Sequence, residues 1–185
     1  MGHSMGGVIA TQAAAQCPDL VAALVYVTAF APRNGQSLLD LARLPEGAGD
    51  QVQVNMIVEG DPPVASMPVA ASRDALYGSC SHDVAAGAGA IERQCPQAIA
   101  PFVTPVSIPP GMLAGIPVYY VLCLRDRAIS PALQRRMSRE IGCAEAFELE
   151  TDHTPHLSMP RQLAAALDHF ATRCVPVTRA SDLPL

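Results

Sequence analysis

The chain has 185 residues, half of them hydrophobic, with four Phe, four Tyr and no Trp. That length suits one domain whose core is built from Ala, Val, Leu and Ile. A formal net charge of -5, a pI near 5.4 and 12 scattered basic residues exclude a nucleic-acid surface. No apolar run is long enough to span a bilayer and no basic segment with a following apolar one opens the chain, so a cytoplasmic protein with no membrane partner is expected.

Gly2-His3-Ser4-Met5-Gly6-Gly7 comes first. A G-x-S-x-G turn followed by a small-residue helix is a nucleophile elbow. A serine hydroxyl is a weak nucleophile, so its Oγ must stand clear of the backbone, near a base and near donors for a developing oxyanion. The sharp turn is expected to leave no room for side chains at Gly2 and Gly6, while Gly7 lets the helix lie close to the sheet. The Met5 amide is the expected oxyanion donor. An elbow follows a strand, yet only Met1 precedes Gly2, and the reading is therefore a domain lacking its N-terminal part.

Residues 5–16 are Ala-rich and Pro18 closes them, which predicts a helix. Residues 22–28 (Ala-Ala-Leu-Val-Tyr-Val-Thr) and 117–124 (Pro-Val-Tyr-Tyr-Val-Leu-Cys-Leu) are continuous apolar runs, as in strands buried on both faces of a parallel sheet. A shorter strand is expected at 146–150. Ser130 as N-cap and Pro131 at the first position predict a helix to Arg139, and Leu163, Leu167 and Phe170 mark another over 160–172. Alternating strands and helices give a parallel α/β sheet with right-handed crossovers. The stretch 32–115 interrupts this order with 10 of the 17 prolines, and Arg73–Arg93 within it is mostly helix-compatible. It reads as a cap over the strand ends, where such sheets place their ligand crevice. The expected organisation is thus 1–31 for elbow, helix and first strand, 32–115 for the cap, 116–174 for the remaining strands and helices, and 175–185 for a tail.

The six cysteines (Cys17, Cys80, Cys95, Cys123, Cys143, Cys174) show no C-x-x-C spacing. A metal site is not expected, and several of them, such as Cys123 in Val-Leu-Cys-Leu, sit in apolar stretches and read as buried free thiols.

A nucleophilic serine at residue 4 needs an acid and a base on loops after later strands, in the order Ser, acid, His. Asp126 directly follows the run 117–124 and is the expected acid. Asp152 competes by position, but it adjoins the base candidate and a neighbour rarely reaches that ring's Nδ1. Asp168 falls on a helix as solvated surface. The loop Thr151-Asp152-His153-Thr154-Pro155-His156 offers two bases. His153 follows the strand end, whereas His156 is either a packing residue or on the substrate side. His82 and His169 read as structural. His3, inside the elbow, fills a niche beside the turn and takes no proton; together with His156 it makes up the expected substrate-side pair.

With these residues in hand, Gly-His-Ser-Met-Gly-Gly, Tyr-Val-Leu-Cys-Leu-Arg-Asp-Arg-Ala-Ile-Ser-Pro and Asp-His-Thr-Pro-His-Leu-Ser-Met-Pro resemble bacterial relatives of the plant methylesterase and hydroxynitrile lyase group of α/β-hydrolases. The cap segment Leu-Tyr-Gly-Ser-Cys-Ser-His-Asp-Val-Ala is similar to theirs too, so the resemblance covers nearly the whole chain. It implies the C-terminal part of an α/β-hydrolase fold with an inserted cap, and a cofactor-free serine esterase for small, apolar esters with Ser4, Asp126 and His153 as triad. It implies neither metal nor nucleic-acid partner, and it leaves the oligomeric state open. Thr154 stands where the lyases carry a Lys, which weighs against the lyase alternative. Members carry about a third of the domain, including a second oxyanion donor, before the elbow. A non-catalytic remnant or binding protein is therefore the rival expectation, with Leu24, Val25, Tyr26 and Val27 as an unpaired sheet edge.

Overall fold

The computed structural model describes residues 1–80 and 89–174. His82 and the expected tail fall outside the described residues. The main sheet has four parallel strands in the order β1 (Gly2–Ser4), β2 (Leu24–Ala29), β6 (Val118–Cys123) and β7 (Glu145–Leu149). The apolar runs read as buried strands are β2 and β6, and β6 is covered on both faces. The short strand β1 corrects the reading that no strand leads into the elbow. It pairs with β2 through Tyr26, Val27 and Ala29, so the edge expected to stand open is covered at Tyr26 and Val27 and extends past β1 only at Leu24 and Val25.

Helix α1 (Gly6–Gln16) packs its Gly7, Val8, Thr11, Ala14 and Ala15 side against the sheet. Gly7 permits this approach, because a Cβ there would strike the Phe30 carbonyl and come within 2.9 Å of the Ala29 Cβ. Tyr26 donates its hydroxyl to Thr11 Oγ1 at 2.6 Å, while Thr11 donates to the Gly7 carbonyl at 2.8 Å. On the same face lies α6 (Pro131–Glu140), with Leu133 and Met137 in the shared core. Its Ser130 Oγ accepts from the Leu133 amide at 3.0 Å, the expected cap. Past the short α7 (Pro155–Ser158), the opposite face is covered by α8 (Pro160–Arg173), where Phe170 stacks on Tyr119 with ring centroids 4.6 Å apart. Such a pair contributes about 0.5–1.5 kcal/mol beyond its area burial.

Between β2 and β6 lie α2 (Leu38–Ala42), α3 (Gln51–Asn55), α4 (Val69–Tyr77) and α5 (Ala100–Val103). A second, antiparallel sheet of β3 (Ile57–Glu59), β4 (Val64–Ser66) and β5 (Gln97–Ala98) accompanies them. Of the helix-compatible stretch 73–93, residues up to Tyr77 lie in α4, which begins at Val69 and ends before Gly78, residues 89–93 form turns, and residues 81–88 lie outside the described residues. All six cysteines are free; Cys123 is buried, as its apolar run suggests, while Cys17 and Cys95 are exposed. Among the described residues no helix is long and apolar enough to cross a membrane.

Candidate active site

Ser4 ends β1 in the left-handed region, with φ of +54°. A side chain is held there only by surrounding structure, and such strain clusters at functional turns. Here the restraint is the sheet on one side, where the Phe30 amide donates to the Ser4 carbonyl at 3.1 Å, and α1 on the other. Gly2 has no space for a Cβ, which would strike the Gly6 carbonyl. Gly6 corrects the expectation: a Cβ there would meet nothing within 4 Å. The turn is therefore tight at Gly2 and Gly7 and open at Gly6. Met5 precedes the first helical residue, and helix-start amides have no intrahelical carbonyl to bind.

The β1–β2 register slips by one residue between His3 and Ser4, leaving Thr28 as a bulge in β2. Thr28 too has a positive φ, of +35°. Its hydroxyl donates to Asp126 Oδ2. Next to it, the Tyr120 hydroxyl donates to the Ala29 carbonyl at 2.5 Å and accepts from the Ala29 amide at 3.1 Å. The bulge thus leaves no stranded polar group on Ala29.

Asp126 sits just beyond β6 and is buried. Oδ1 accepts from the Ala128 and Ile129 amides at 2.7 and 2.9 Å. Oδ2 accepts from Thr28 and from His153 Nδ1, the latter at 2.7 Å. Gln134, fully buried in α6, organises the loop: its amide nitrogen donates to the Ile129 carbonyl at 2.7 Å and lies 3.4 Å from Asp126 Oδ2, while its oxygen accepts from the Cys123 amide. Thr28, Ala128, Ile129 and Gln134 thus all present donors to the two carboxyl oxygens.

A carboxylate only accepts, so Nδ1 of His153 carries a hydrogen, and in the neutral ring Nε2 then holds the lone pair. That is the tautomer a general base needs. His153 is buried in a loop where Thr151, Asp152 and Thr154 are buried as well. Among the described hydrogen bonds, those of Asp152 go to groups other than the imidazole. Its Oδ2 accepts from the Ser79 and Cys80 amides at 2.7 and 3.2 Å, and its Oδ1 from the Thr154 amide at 3.0 Å. Thr154 donates its hydroxyl to the Leu76 carbonyl at 3.0 Å. These bonds fasten the end of α4 to the loop that carries His153.

A cavity of about 340 Å³ has Ser4, Met5 and His153 in its wall, together with apolar residues such as Phe30, Leu38, Met67, Leu76 and Phe102. It shares Val52, Met56, Met67, Leu76, Gln97 and Phe102 with a neighbouring cavity of about 410 Å³. A larger open depression, about 540 Å³ between Pro18 and Ile116, holds none of the candidate residues. His3 and His156, the expected substrate-side pair, are not among the lining residues of the 340 Å³ cavity. The His3 ring lies 4.8 Å from that of His153 and 5.3 Å from that of the exposed His156, centroid to centroid. Burial, and next the nearby His153, lower the His3 pKa to about 4. Asp168 is exposed, and His169 bonds Glu145 at 2.9 Å. Thr28 and Gln134 were missed in the sequence because a bulge and a helix-to-loop contact leave no local signal. Asp50, also in the cavity wall, was missed because it reads as a loop residue.

A model of the alpha/beta hydrolase family matches residues 1–166. A pyrethroid hydrolase of Sphingobium wenxiniae is 31% identical over 195 residues, which cover 92% of this chain and 62% of that protein. The Arabidopsis thaliana chloroplastic protein designated methylesterase 11 is 29% identical over 179 residues, covering 92% of this chain and 45% of that protein. The chain thus spans about half to three-fifths of the length of these relatives. The crystal structure of a pyrethroid hydrolase from Sphingobium faniae superposes with a TM-score of 0.78 at 26% identity, covering 92% of this chain and 69% of that one.

Proposed function

Because the chain belongs to the alpha/beta hydrolase family, we propose that it carries the machinery of a serine esterase for apolar carboxylic esters. One observation carries this reading. His153 Nδ1 is bound to the buried Asp126, which leaves Nε2 available in a cavity whose wall also contains the strained Ser4.

In this reading Ser4 Oγ attacks the ester carbonyl while His153 Nε2 takes its proton. Asp126 holds the ring and stabilises the imidazolium that forms. The Met5 N–H donates to the oxyanion. Collapse of the tetrahedral intermediate expels the alcohol, protonated by His153, and leaves an acyl-Ser4. Water then attacks this ester, with His153 again accepting a proton, and releases the acid. The named relatives, a pyrethroid hydrolase and a methylesterase, support ester chemistry. The apolar wall supports an apolar substrate.

Fluorophosphonate labelling followed by peptide mass spectrometry tests the assignment, since the reagent requires an activated serine. Label on Ser4 that is lost in His153→Ala is the expected result. An unlabelled chain, or label elsewhere, sinks it. Release of aldehyde and cyanide from a cyanohydrin in place of ester cleavage would identify the lyase alternative, although Thr154 is committed to the Leu76 carbonyl.

A further inference from the structure

Among the described residues lining the 340 Å³ cavity, only His153 and Asp50 are ionisable. Asp50 is buried, 4% exposed. Its backbone is fixed from both sides: its own amide donates to the Gly47 carbonyl at 3.2 Å, and the next amide, of Gln51, donates to the Arg127 carbonyl at 2.8 Å beside the acid loop. Oδ1 is occupied as the cap of α3, accepting from the Val52 and Gln53 amides at 2.7 and 3.2 Å. Oδ2 is less well served. It has a 3.3 Å contact from Gln53 Nε2, a group that makes its shorter bond, 2.8 Å, to the Ala42 carbonyl.

Capping explains the two amide bonds but not the charge. Asn or Ser at that position caps a helix about as well without placing a carboxylate in an apolar pocket. An ionised carboxyl there loses solvation, and among the described residues no cation pairs with it. Burial, with a further contribution from Asp126, pushes its pKa up to about 6, so it is mainly ionised at pH 8. A positively charged group entering the cavity would meet an acceptor whose hydration has already been removed. Interaction between charges is strongest in such a site.

We propose that Asp50 is a specificity residue that receives an ammonium group on the substrate, so that the cavity selects esters carrying a cationic amine on an otherwise apolar chain. This rests on the esterase reading for the word ester, while the amine site itself stands on the cavity and on Asp50. The two are tested separately. At pH 8, calorimetric titration compares the non-hydrolysable ketone 6-(dimethylamino)hexan-2-one, whose amine is protonated, with its neutral isostere 7-methyloctan-2-one. The cationic ketone should bind the 185-residue chain more tightly. Asp50→Asn and Asp50→Ser, both of which keep a cap acceptor, should weaken its binding at least about tenfold and change that of the neutral ketone less than about threefold, the behaviour of a desolvated charge pair. Equal affinities in the unsubstituted chain, no detectable binding of the cationic ketone, or parallel losses of both ketones in the two variants would overturn the proposal and leave Asp50 as a cap alone. Hydrolysis of p-nitrophenyl 4-(dimethylamino)butanoate is measured alongside. Its absence despite selective binding of the cationic ketone counts against the esterase reading, not against the amine site.

Discussion

His3 donates its Nε2 hydrogen to the backbone carbonyl of His153 at 2.7 Å, tying the turn that bears Ser4 to the loop that bears the proposed base. A carbonyl only accepts, so the bond sets the tautomer of His3. The same side chain spans 150 positions of sequence and leaves the His153 ring free to face Asp126.

The first prediction concerns pH. Burial and the neighbouring His153 hold the His3 pKa at about 4, below the ordinary 6.5. Between those values the unfolded chain binds a proton that the native one refuses. Stability from this group is therefore complete above 6.5 and declines as pH falls towards 4. His3→Gln keeps an N–H for the carbonyl and does not titrate. Relative to His3→Gln, the unsubstituted chain should lose about 1–3 kcal/mol between pH 7 and pH 4.5 in urea denaturation. Parallel stability curves would remove His3 from the acid sensitivity of the fold.

Replacement of the proposed triad residues should separate them from their neighbours. Ser4→Ala and His153→Ala are expected to reduce kcat for p-nitrophenyl butyrate by on the order of 10⁴, to background. His156→Ala, an exposed ring in contact with His3, should change the rate by less than about threefold. A collapse of kcat in His156→Ala with activity retained in His153→Ala would reverse the choice of base.

Three glycines of the elbow should not behave alike. Gly6 opens α1 with free space around a would-be Cβ, so Gly6→Ala should raise stability by about 0.5–1 kcal/mol through the unfolded chain and helix propensity. Gly2→Ala and Gly7→Ala meet backbone carbonyls and should each cost several times that, about 2 kcal/mol or more. Denaturation midpoints that rank Gly6→Ala as the worst of the three would contradict this geometry.

The parts of the fold visible in sequence are those encoded by neighbours along the chain. β2 and β6 show as apolar runs, α6 shows through Ser130 and Pro131, and the Gly-x-Ser-x-Gly turn shows directly. Asp126 and His153 are legible because each follows a strand end. What depends on pairing between distant residues does not show. β4 draws its neighbours from Ile57–Glu59 and from Gln97–Ala98, segments too short to carry a period of their own. The Thr28 bulge is a mismatch of register between two strands, and neither strand contains it alone. Gln134 reads as an ordinary helix residue until its amide is seen inside the Asp126 loop. Asp50 reads as a loop carboxylate until the cavity closes around it.

The last prediction separates the two buried aspartates near the proposed base. Asp126 touches the His153 ring, whereas Asp152 reaches back to the amides of Ser79 and Cys80 and fixes the end of the helix that contributes Leu76 to the cavity wall. Asp126→Asn presents an amide whose N–H and oxygen no longer match the carboxylate's partners, favouring the wrong imidazole tautomer; kcat should fall on the order of 10⁴. Asp152→Asn leaves a neutral acceptor for at most one side of its network. Donors at Ser79, Cys80 or Thr154 then lose partners in a buried place, at a cost of about 1–3 kcal/mol each. The Asp152 variant should therefore melt earlier and show a raised KM as the Leu76 wall loosens, yet still label at Ser4 with fluorophosphonate. Equal loss of labelling in both variants, at a temperature where circular dichroism shows both folded, would mean that Asp152 also acts on His153 and that the division between orienting acid and structural clamp is wrong.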